Sequence, residues 1–182
     1  MKILPTAIND VKIIEPKVFG DERGYFLESW NQQSFDDLGL DVRFVQDNHS
    51  YSQQNILRGL HYQLEQPQGK LVRVIEGEVY DVAVDIRKSS STFGQWVGVR
   101  LSGTNHRMLW VPPGFAHGFY VMSPTVHFCY KCTEYYAPEF EHSIQWDDSK
   151  LNIDWPLIKG ESPQLSKKDQ DGIAFEQAEY FK

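Results

Sequence analysis

The stretch ILRGLHYQLEQPQGKLVRVIEGEVYDVAVDIR, residues 56–87, decides the fold of this chain. Its β-branched and apolar runs, separated by turn signals, predict three strands: Ile56–Gln63, Lys70–Glu76 and Val79–Ile86. Arg58, His61 and Lys70 interrupt these otherwise core-like runs. Burying a cationic or titratable group without a partner is costly, so polar groups at such positions indicate a functional site.

Outward from this stretch, short β-type runs recur at intervals of roughly ten residues, which is typical of a sandwich or barrel. The additional predicted strands are Met1–Leu4, Val11–Ile14, Tyr25–Glu28, Phe44–Ser50, Gln95–Leu101, Met108–Val111, Gly118–Met122 and Val126–Tyr135. No long helical period alternates with them, which argues against a parallel βαβ sheet. The sequence therefore predicts an all-β fold, a double-sheet jelly-roll barrel with short peripheral helices.

Two short helices are predicted, Asn31–Leu38 before Gly39 and Ser166–Asp171 with Ser166 as its N-cap. Length and the absence of repeats predict a single domain over residues 1–182. We expect strands within residues 1–17 to cover a sheet edge or reach a neighbouring subunit, and the tail, residues 139–182, to pack on the barrel.

Composition limits the possible partners and location. The net charge of −7 and the pI near 5.3 argue against a nucleic-acid partner. No run is long enough for a membrane span, and the amino terminus has no signal-type pattern. With only two cysteines and hence no disulfide framework, the chain is predicted to be cytoplasmic.

Two patterns that suggest a metal or redox centre are weak. A metal-binding jelly roll typically uses a His-x-His pair, but here His61 is followed by Tyr62 and Gln63. No metal is therefore expected. Cys129 and Cys132 lie three residues apart within a predicted strand, so their side chains face opposite sides and favour core thiols over a redox pair.

Four side chains together could move a proton next to a carbonyl group. They are His61 as general base, Asp169 as the carboxylate that orients it, Lys70 as a donor to an enolate oxygen, and Tyr130 as general acid. Taken singly, each of these side chains could have a purely structural role, such as a histidine with its hydrogen bonds satisfied or a lysine at the edge of a strand. A further set would supply charge for a diphosphate: Arg23, Arg58, His117 and Lys168.

The spacing of Arg58 and His61 poses a geometric problem. On a regular strand these two residues face opposite sides. Either Gly59 marks a bulge that turns both inward, or Arg58 reaches the ligand from the rim of the barrel.

Taken together, these residues resemble the dTDP-4-dehydrorhamnose 3,5-epimerase family over nearly the whole chain, from about Pro16 to Asp169. The segments that show the resemblance are VFGDERGYFLES, FVQDNHS, LRGLHYQ, QGKLVRV, GEVYDVAVDIR, STFGQWVGV, VPPGFAHGF and YKCTEYYAPEFEHSI with Trp146. The resemblance implies a cupin jelly roll, a homodimer with strand exchange at its interface, and no cofactor or metal requirement.

The resemblance also implies roles for individual residues. His61 matches the base, Asp169 its carboxylate partner, Tyr130 the acid and Lys70 the group beside the enolate oxygen. Tyr136 matches the ring that stacks on thymine. The other matched substrate contacts are Arg23, Glu28, Gln46, Asp47, Asn48, Arg58, His117, Glu141 and Lys168.

The implied reaction is inversion of C3 and C5 of dTDP-4-dehydro-6-deoxy-D-glucose, giving dTDP-4-dehydro-L-rhamnose, within dTDP-L-rhamnose biosynthesis for surface polysaccharides such as lipopolysaccharide. Three alternatives stay open at this point. They are an enzyme that inverts C3 alone or isomerises a 3,4-ketosugar, a non-catalytic sugar-nucleotide-binding barrel, and a metal-dependent cupin oxygenase.

Overall fold

The computed structural model describes all residues, 1–182, and contains thirteen strands and two short α-helices. The strands are β1 Lys2–Leu4, β2 Lys12–Glu15, β3 Val18–Asp21, β4 Gly24–Leu27, β5 Gln46–Gln53, β6 Leu57–Gln63, β7 Lys70–Glu76, β8 Glu78–Asp85, β9 Trp96–Ser102, β10 Met108–Val111, β11 Phe115–Val121, β12 Thr125–Cys132 and β13 Glu141–Ser143. The helices are α1 Gln32–Asp37 and α2 Lys167–Gln170, with 3-10 turns at Pro138–Phe140 and Phe175–Gln177. None of these helices is long and apolar enough to cross a membrane.

Two antiparallel sheets face each other. One has six strands in the order β1-β2-β10-β7-β12-β5, and the other has five in the order β13-β6-β11-β8-β9. Strands β3 and β4 form a separate hairpin that joins neither sheet. This arrangement confirms the predicted double-sheet jelly roll.

Three apolar clusters cover both faces of the sheets. The first fills the space between the sheets and includes Val72, Ala83 and Phe128. The second packs the outer face of the five-stranded sheet against the tail, and the third packs the outer face of the six-stranded sheet against α1. Because both of its faces are covered, β11 is buried at every position and shows no polar alternation.

Several strand boundaries differ from the predicted ones. Strand β5 starts at Gln46 rather than Phe44, because the Phe44 ring packs edge-on against Phe35 and Trp110 outside the sheet. Strand β11 starts at Phe115 rather than Gly118, directly after the turn at Gly114, which has a φ of 92°. Strands β7 and β10 have the predicted bounds, and α1 begins one residue later than predicted, because Asn31 is its N-cap.

The tail returns to the barrel through both backbone and side-chain contacts. Isolated parallel bridges pair Gln164 with Ile56 and Ile173 with Ile144. Trp155 is 8% exposed, lies edge-on to Tyr80 at 6.2 Å between ring centroids, and donates its indole N–H to a main-chain oxygen at 2.8 Å. We therefore propose that barrel and tail form one folding domain.

Replacing Trp155 tests this proposal. We expect Trp155→Ala to lower the free energy of unfolding by about 3–5 kcal/mol, because a large buried side chain is lost, while unfolding remains a single transition. Urea unfolding followed by circular dichroism and by fluorescence measures both. The exposed tail variant Glu176→Ala, in which only a surface ion pair is lost, should stay within about 0.5 kcal/mol of wild type. Two separate transitions would contradict the single-domain proposal.

Candidate active site

A cavity of about 310 Å³ lies between the two sheets. Its walls come from both sheets, and its rim includes residues of α2 and of the segment after β12. The structure brings ten of the predicted site residues to this cavity: Gln46, Asn48, Arg58, His61, Lys70, His117, Tyr130, Tyr136, Glu141 and Lys168.

His61 and Asp169 form a hydrogen-bonded pair that joins β6 to the tail helix. The His61 Nε2 and Asp169 Oδ1 atoms are 2.6 Å apart. The same oxygen accepts the backbone N–H of Gly59 at 3.1 Å, and Oδ2 accepts the Ser166 hydroxyl at 2.6 Å. Ser166 is also the N-cap of α2, as predicted, because its hydroxyl accepts the backbone N–H of Asp169. Asp169 is thus held behind the imidazole at 3% exposure.

These contacts set the charge of the pair. Burial alone would raise the pKa of Asp169, but hydrogen bonds from His61, Ser166 and Gly59 bring it down to about 2. Burial lowers the pKa of His61, only partly opposed by the hydrogen bond to Asp169. At neutral pH the carboxylate is therefore ionised and the imidazole neutral. With the Nε2 proton donated to Asp169, Nδ1 keeps a lone pair that can accept a proton.

A bulge at Gly59 turns Arg58 and His61 into the same cavity. In the β6–β11 ladder, His117 pairs with His61 and Phe119 pairs with Arg58. The two β6 residues are three positions apart in the sequence, whereas their β11 partners are two apart, so β6 has one extra residue here. Gly59 has a φ of 125°, and a Cβ there would lie 2.5 Å from the Gly118 Cα atom. The first of the two alternatives for Arg58 is therefore correct, and only glycine fits the bulge.

Lys70 and Tyr130 face His61 from the opposite sheet. Lys70 opens β7, and its ammonium group has no hydrogen-bond or ion-pair partner within the chain. Burial lowers the pKa of Lys70, opposed by the nearby Cys132, Glu141 and Asp81. Tyr130 lies on β12, where burial raises its pKa and keeps the phenol protonated. The cavity thus places a neutral base on one sheet and a phenol and an ammonium group on the other.

The rim of the cavity is polar and organised by Glu141. Its carboxylate accepts the Tyr136 hydroxyl and the Lys168 ammonium group, each at 2.7 Å. Burial would raise the pKa of Glu141, but these two hydrogen bonds lower it. Gln46 accepts the backbone N–H of Tyr136 at 2.9 Å, which fixes the segment that holds the half-exposed Tyr136 ring.

Arg58 and Asn48 line the cavity wall. The Arg58 guanidinium donates to the Ser52 hydroxyl at 3.0 and 3.1 Å and has no carboxylate partner. Asn48 contacts the Cys132 sulfur at 3.6 Å. Arg58 is therefore available to an anionic ligand.

Three predicted substrate contacts lie outside this cavity. Arg23 is at the tip of the β3–β4 hairpin, where it pairs with Asp21, and its side chain is 85% exposed. Glu28 accepts hydrogen bonds from Asn31 and Ser34 near α1. Asp47 points to the outer face of β5, because strand alternation places it opposite its neighbours, and it pairs with Lys131 at 2.9 Å. In one copy of the chain, these side chains do not reach the site.

The structure adds site residues that the sequence analysis missed. Asp81 on β8 is fully buried and accepts the Nε2 proton of His117 at 2.8 Å. Phe119 and Phe128 form apolar parts of the cavity wall. Asp81 could have been found, since a carboxylate inside the core-like run VYDVAVD is the same signal that marked Arg58, His61 and Lys70.

The two cysteines are free, and only one is a core thiol. Cys132 is buried, whereas Cys129 is partly exposed on the outer face of β12 beside Arg73 and Lys131. The expectation of two core thiols is therefore wrong for Cys129. No group of three or more histidine, cysteine and acidic side chains is arranged to hold a metal ion.

The fold and the cavity define a class of protein: a cupin-type jelly roll whose interior is equipped for proton transfer between facing sheets. The family model for dTDP-4-dehydrorhamnose 3,5-epimerase matches residues 5–177. A dTDP-4-dehydrorhamnose 3,5-epimerase of Pseudomonas aeruginosa is 57% identical over 182 residues, covering 100% of this chain and 99% of that protein. This chain belongs to the dTDP-4-dehydrorhamnose 3,5-epimerase family, which confirms the resemblance seen in the sequence.

Solved structures agree with this assignment. A dTDP-6-deoxy-D-glucose-3,5-epimerase of Legionella pneumophila, solved in complex with dTDP-4-keto-L-rhamnose, matches with a TM-score of 0.94 and 57% identity over 98% of this chain and 94% of that one. A 3'-monoepimerase of Streptomyces bikiniensis, in complex with dTDP-quinovose, matches with a TM-score of 0.86 and 31% identity over 93% of this chain and 86% of that one.

The depressed pKa of Asp169 predicts a pH-dependent contribution to stability. Its folded pKa of about 2 lies below the value of 3.8 for an exposed aspartate, so the contribution is complete above about pH 4 and is lost as the pH falls through 2. We expect Asp169→Asn to lower the free energy of unfolding by about 2 kcal/mol at pH 7 and by about half as much at pH 3. Urea unfolding at both pH values measures this difference.

Asp171→Asn is the matched control for this measurement, because Asp171 ends the same helix but is exposed. Its effect should stay below about 0.5 kcal/mol at both pH values. A loss in Asp169→Asn that is the same at pH 7 and pH 3 would contradict the assigned ionisation.

Proposed function

We propose that this chain inverts C3 and C5 of dTDP-4-dehydro-6-deoxy-D-glucose to give dTDP-4-dehydro-L-rhamnose, without a cofactor. The observation that supports this most directly is the placement of base and acid. His61 lies on the five-stranded sheet, and Tyr130 lies on the facing six-stranded sheet. A sugar bound between them has one group on each side of its ring. Removal of a proton on one side and its return on the other inverts a carbon centre.

The chemistry follows from the substrate ketone. The C4 carbonyl acidifies the protons on C3 and C5, and the Nδ1 lone pair of His61 removes one of them. The electrons move onto the C4 oxygen, where the Lys70 ammonium group stabilises the enolate. Asp169 stabilises the imidazolium that forms. Tyr130 then donates its proton to the carbon from the opposite side, and exchange with solvent restores both groups before the second centre reacts.

Binding of the nucleotide is assigned to the rim and wall. We assign the diphosphate to Arg58 and Lys168 and the thymine ring to Tyr136, because all three line the cavity and carry matching charge or an aromatic face. Gln46, Asn48 and Glu141 complete the polar rim. His117 is only 7% exposed and lies beside Phe119 and Phe128, so we assign it to the sugar rather than to the diphosphate.

The site also supports a homodimer in which each hairpin reaches the other subunit. The β3–β4 hairpin belongs to neither sheet, and its Val18, Phe19, Tyr25 and Phe26 side chains are 41–70% exposed. An isolated two-stranded hairpin with exposed aromatic side chains is only marginally stable in water, which favours packing on a partner. We propose that a second copy is this partner and that Arg23 and Glu28 contact the ligand in its cavity.

We propose a cytoplasmic location for this activity. Both thiols are free, and they lie on opposite faces of β12. Reduced cysteines of this kind are typical of a reducing compartment.

Isotope incorporation tests the reaction. With the ketosugar nucleotide in deuterated water, we expect label from solvent at both C3 and C5, read by proton NMR and mass spectrometry. His61→Ala should lower the rate of both exchanges by at least about 10²–10⁴-fold, the usual contribution of a positioned base. His142→Ala is the matched control, because His142 lies next to Glu141 on β13 but stacks on Tyr62 outside the cavity.

The labelling result also separates the second candidate function. The similarity to a 3'-monoepimerase makes inversion of C3 alone the relevant rival. Label at C3 only would support that activity, and product without label would contradict proton exchange with solvent. A protein that leaves the substrate unlabelled after prolonged incubation would be a binding barrel rather than an enzyme.

Mixing two inactive variants tests the shared site. We expect Arg23→Ala and His61→Ala each to lose activity, and their mixture, after subunit exchange, to recover about a quarter of the wild-type rate. Half of the randomly formed dimers are mixed, and each of these has one cavity with its own His61 and the partner's intact hairpin. No recovery in verified mixed dimers would show that Arg23 does not act across the interface.

A further inference from the structure

Asp81 is a buried carboxylate that the reaction described above does not use. It lies in the middle of β8 at 0% exposure. Its Oδ1 atom is 2.8 Å from His117 Nε2, and its Oδ2 atom has no hydrogen-bond partner in the chain. A buried carboxylate normally has its lone pairs satisfied, because the desolvation of an ion is costly. Asp81 has a single hydrogen bond, and the donor is a residue of the cavity.

Asp85, on the same strand and the same face, shows what a structural carboxylate looks like in this fold. It is also 0% exposed, but it accepts hydrogen bonds from Arg87, Ser90 and Thr92. Although burial opposes ionisation, these donors lower the pKa of Asp85 to about 2. At Asp81, burial raises the pKa and is only partly offset by His117 and Lys70. The two carboxylates therefore differ in the number of their hydrogen bonds and in the direction in which the fold shifts their pKa.

The partner of Asp81 lies next to the assigned base. His117 and His61 are direct partners in the β6–β11 ladder, and both line the cavity. Each imidazole has a buried carboxylate on its Nε2 side, Asp169 behind His61 and Asp81 behind His117. A carboxylate in this position selects one tautomer and holds the ring in one orientation. With Nε2–H directed to Asp81, the free nitrogen of His117 is Nδ1, which makes no hydrogen bond within the chain.

We propose that Asp81 is a positioning residue for epimerisation. It holds His117 as the Nε2–H tautomer, so that Nδ1 accepts a hydrogen bond from a sugar hydroxyl next to the reacting carbons. The Asp81–His117 pair thereby orients the ring of the sugar between His61 and Tyr130, whereas the nucleotide contacts supply most of the affinity. This inference rests on the proposed function.

Asp81→Asn tests the role of the carboxylate. In Asp81→Asn, the positive charge of the nearby Lys70 attracts the amide oxygen, so the amide NH₂ group faces His117 Nε2. Because Nε2 must then accept a hydrogen bond, the imidazole proton moves to Nδ1. We expect kcat to fall about 10–100-fold, the range typical when a metal-bound histidine loses its outer hydrogen-bond partner, while KM changes little. The dissociation constant of dTDP, measured by calorimetry, should equal that of wild type because the rim is untouched.

Nitrogen NMR of His117 separates positioning from simple stability. In the wild type we expect the proton on Nε2, and in Asp81→Asn we expect it on Nδ1. Asp85→Asn is the matched control: it removes a fully buried carboxylate from the same strand and should lower stability while leaving kcat and the His117 tautomer unchanged.

Several results would overturn the inference. A wild-type spectrum with the His117 proton on Nδ1 would do so without any variant, which covers the case in which Asp81→Asn does not fold. So would an Asp81→Asn enzyme with the wild-type kcat, or equal losses of kcat in Asp81→Asn and Asp85→Asn. A wild-type chain without epimerase activity would instead refute the proposed function, and the tautomer measurement would still be interpretable.

Discussion

The hydrogen bond between His61 and Asp169 is the contact on which the candidate site depends. It joins residues 108 positions apart, one on β6 in the centre of the chain and one on α2 in the tail. The tail packs on the outer face of the five-stranded sheet, but α2 places its carboxylate behind a side chain that faces the inside. The bulge at Gly59 makes this possible, because the same Asp169 oxygen accepts the Gly59 N–H. The site is therefore complete only when the tail lies against β6.

A jelly roll suits this chemistry because its two sheets give a cavity with two unlike walls. The wall formed by the five-stranded sheet presents histidines backed by carboxylates. The wall formed by the six-stranded sheet presents a phenol that burial keeps protonated and an ammonium group without a partner in the chain. Removal of a proton by one wall and delivery of another proton from the opposite wall inverts a centre, whereas both steps on one side would return the starting sugar.

The fully buried carboxylates of the two sheets and the tail differ in the number of hydrogen bonds that they accept. Asp85 and Asp148 are surrounded by donors from neighbouring loops and hold those loops in place. Asp81 accepts only one hydrogen bond, from His117, and lies directly behind the cavity wall. Because a buried carboxylate with an unsatisfied oxygen destabilises the fold, its presence beside a cavity histidine indicates a role in the site.

The sequence by itself determined the all-β class, most of the strand positions, the N-cap of α2 and ten residues of the cavity. These features depend on local pattern: periodicity, turn residues and polar side chains inside core-like runs. Strand boundaries that shifted, such as the start of β5, did so because a side chain like Phe44 packs against other parts of the chain.

Only the tertiary structure decided which of the polar residues meet. It placed Asp169 behind His61, turned Arg58 inward at Gly59, and left Arg23, Glu28 and Asp47 outside the cavity of their own chain. It also added Asp81, whose importance depends on a hydrogen bond to a different strand. Contacts between residues far apart in the chain depend on sheet order and register, which residue spacing does not encode. The physical reason is that residue spacing determines which face of its own strand a side chain occupies, whereas a site also requires the relative placement of several strands.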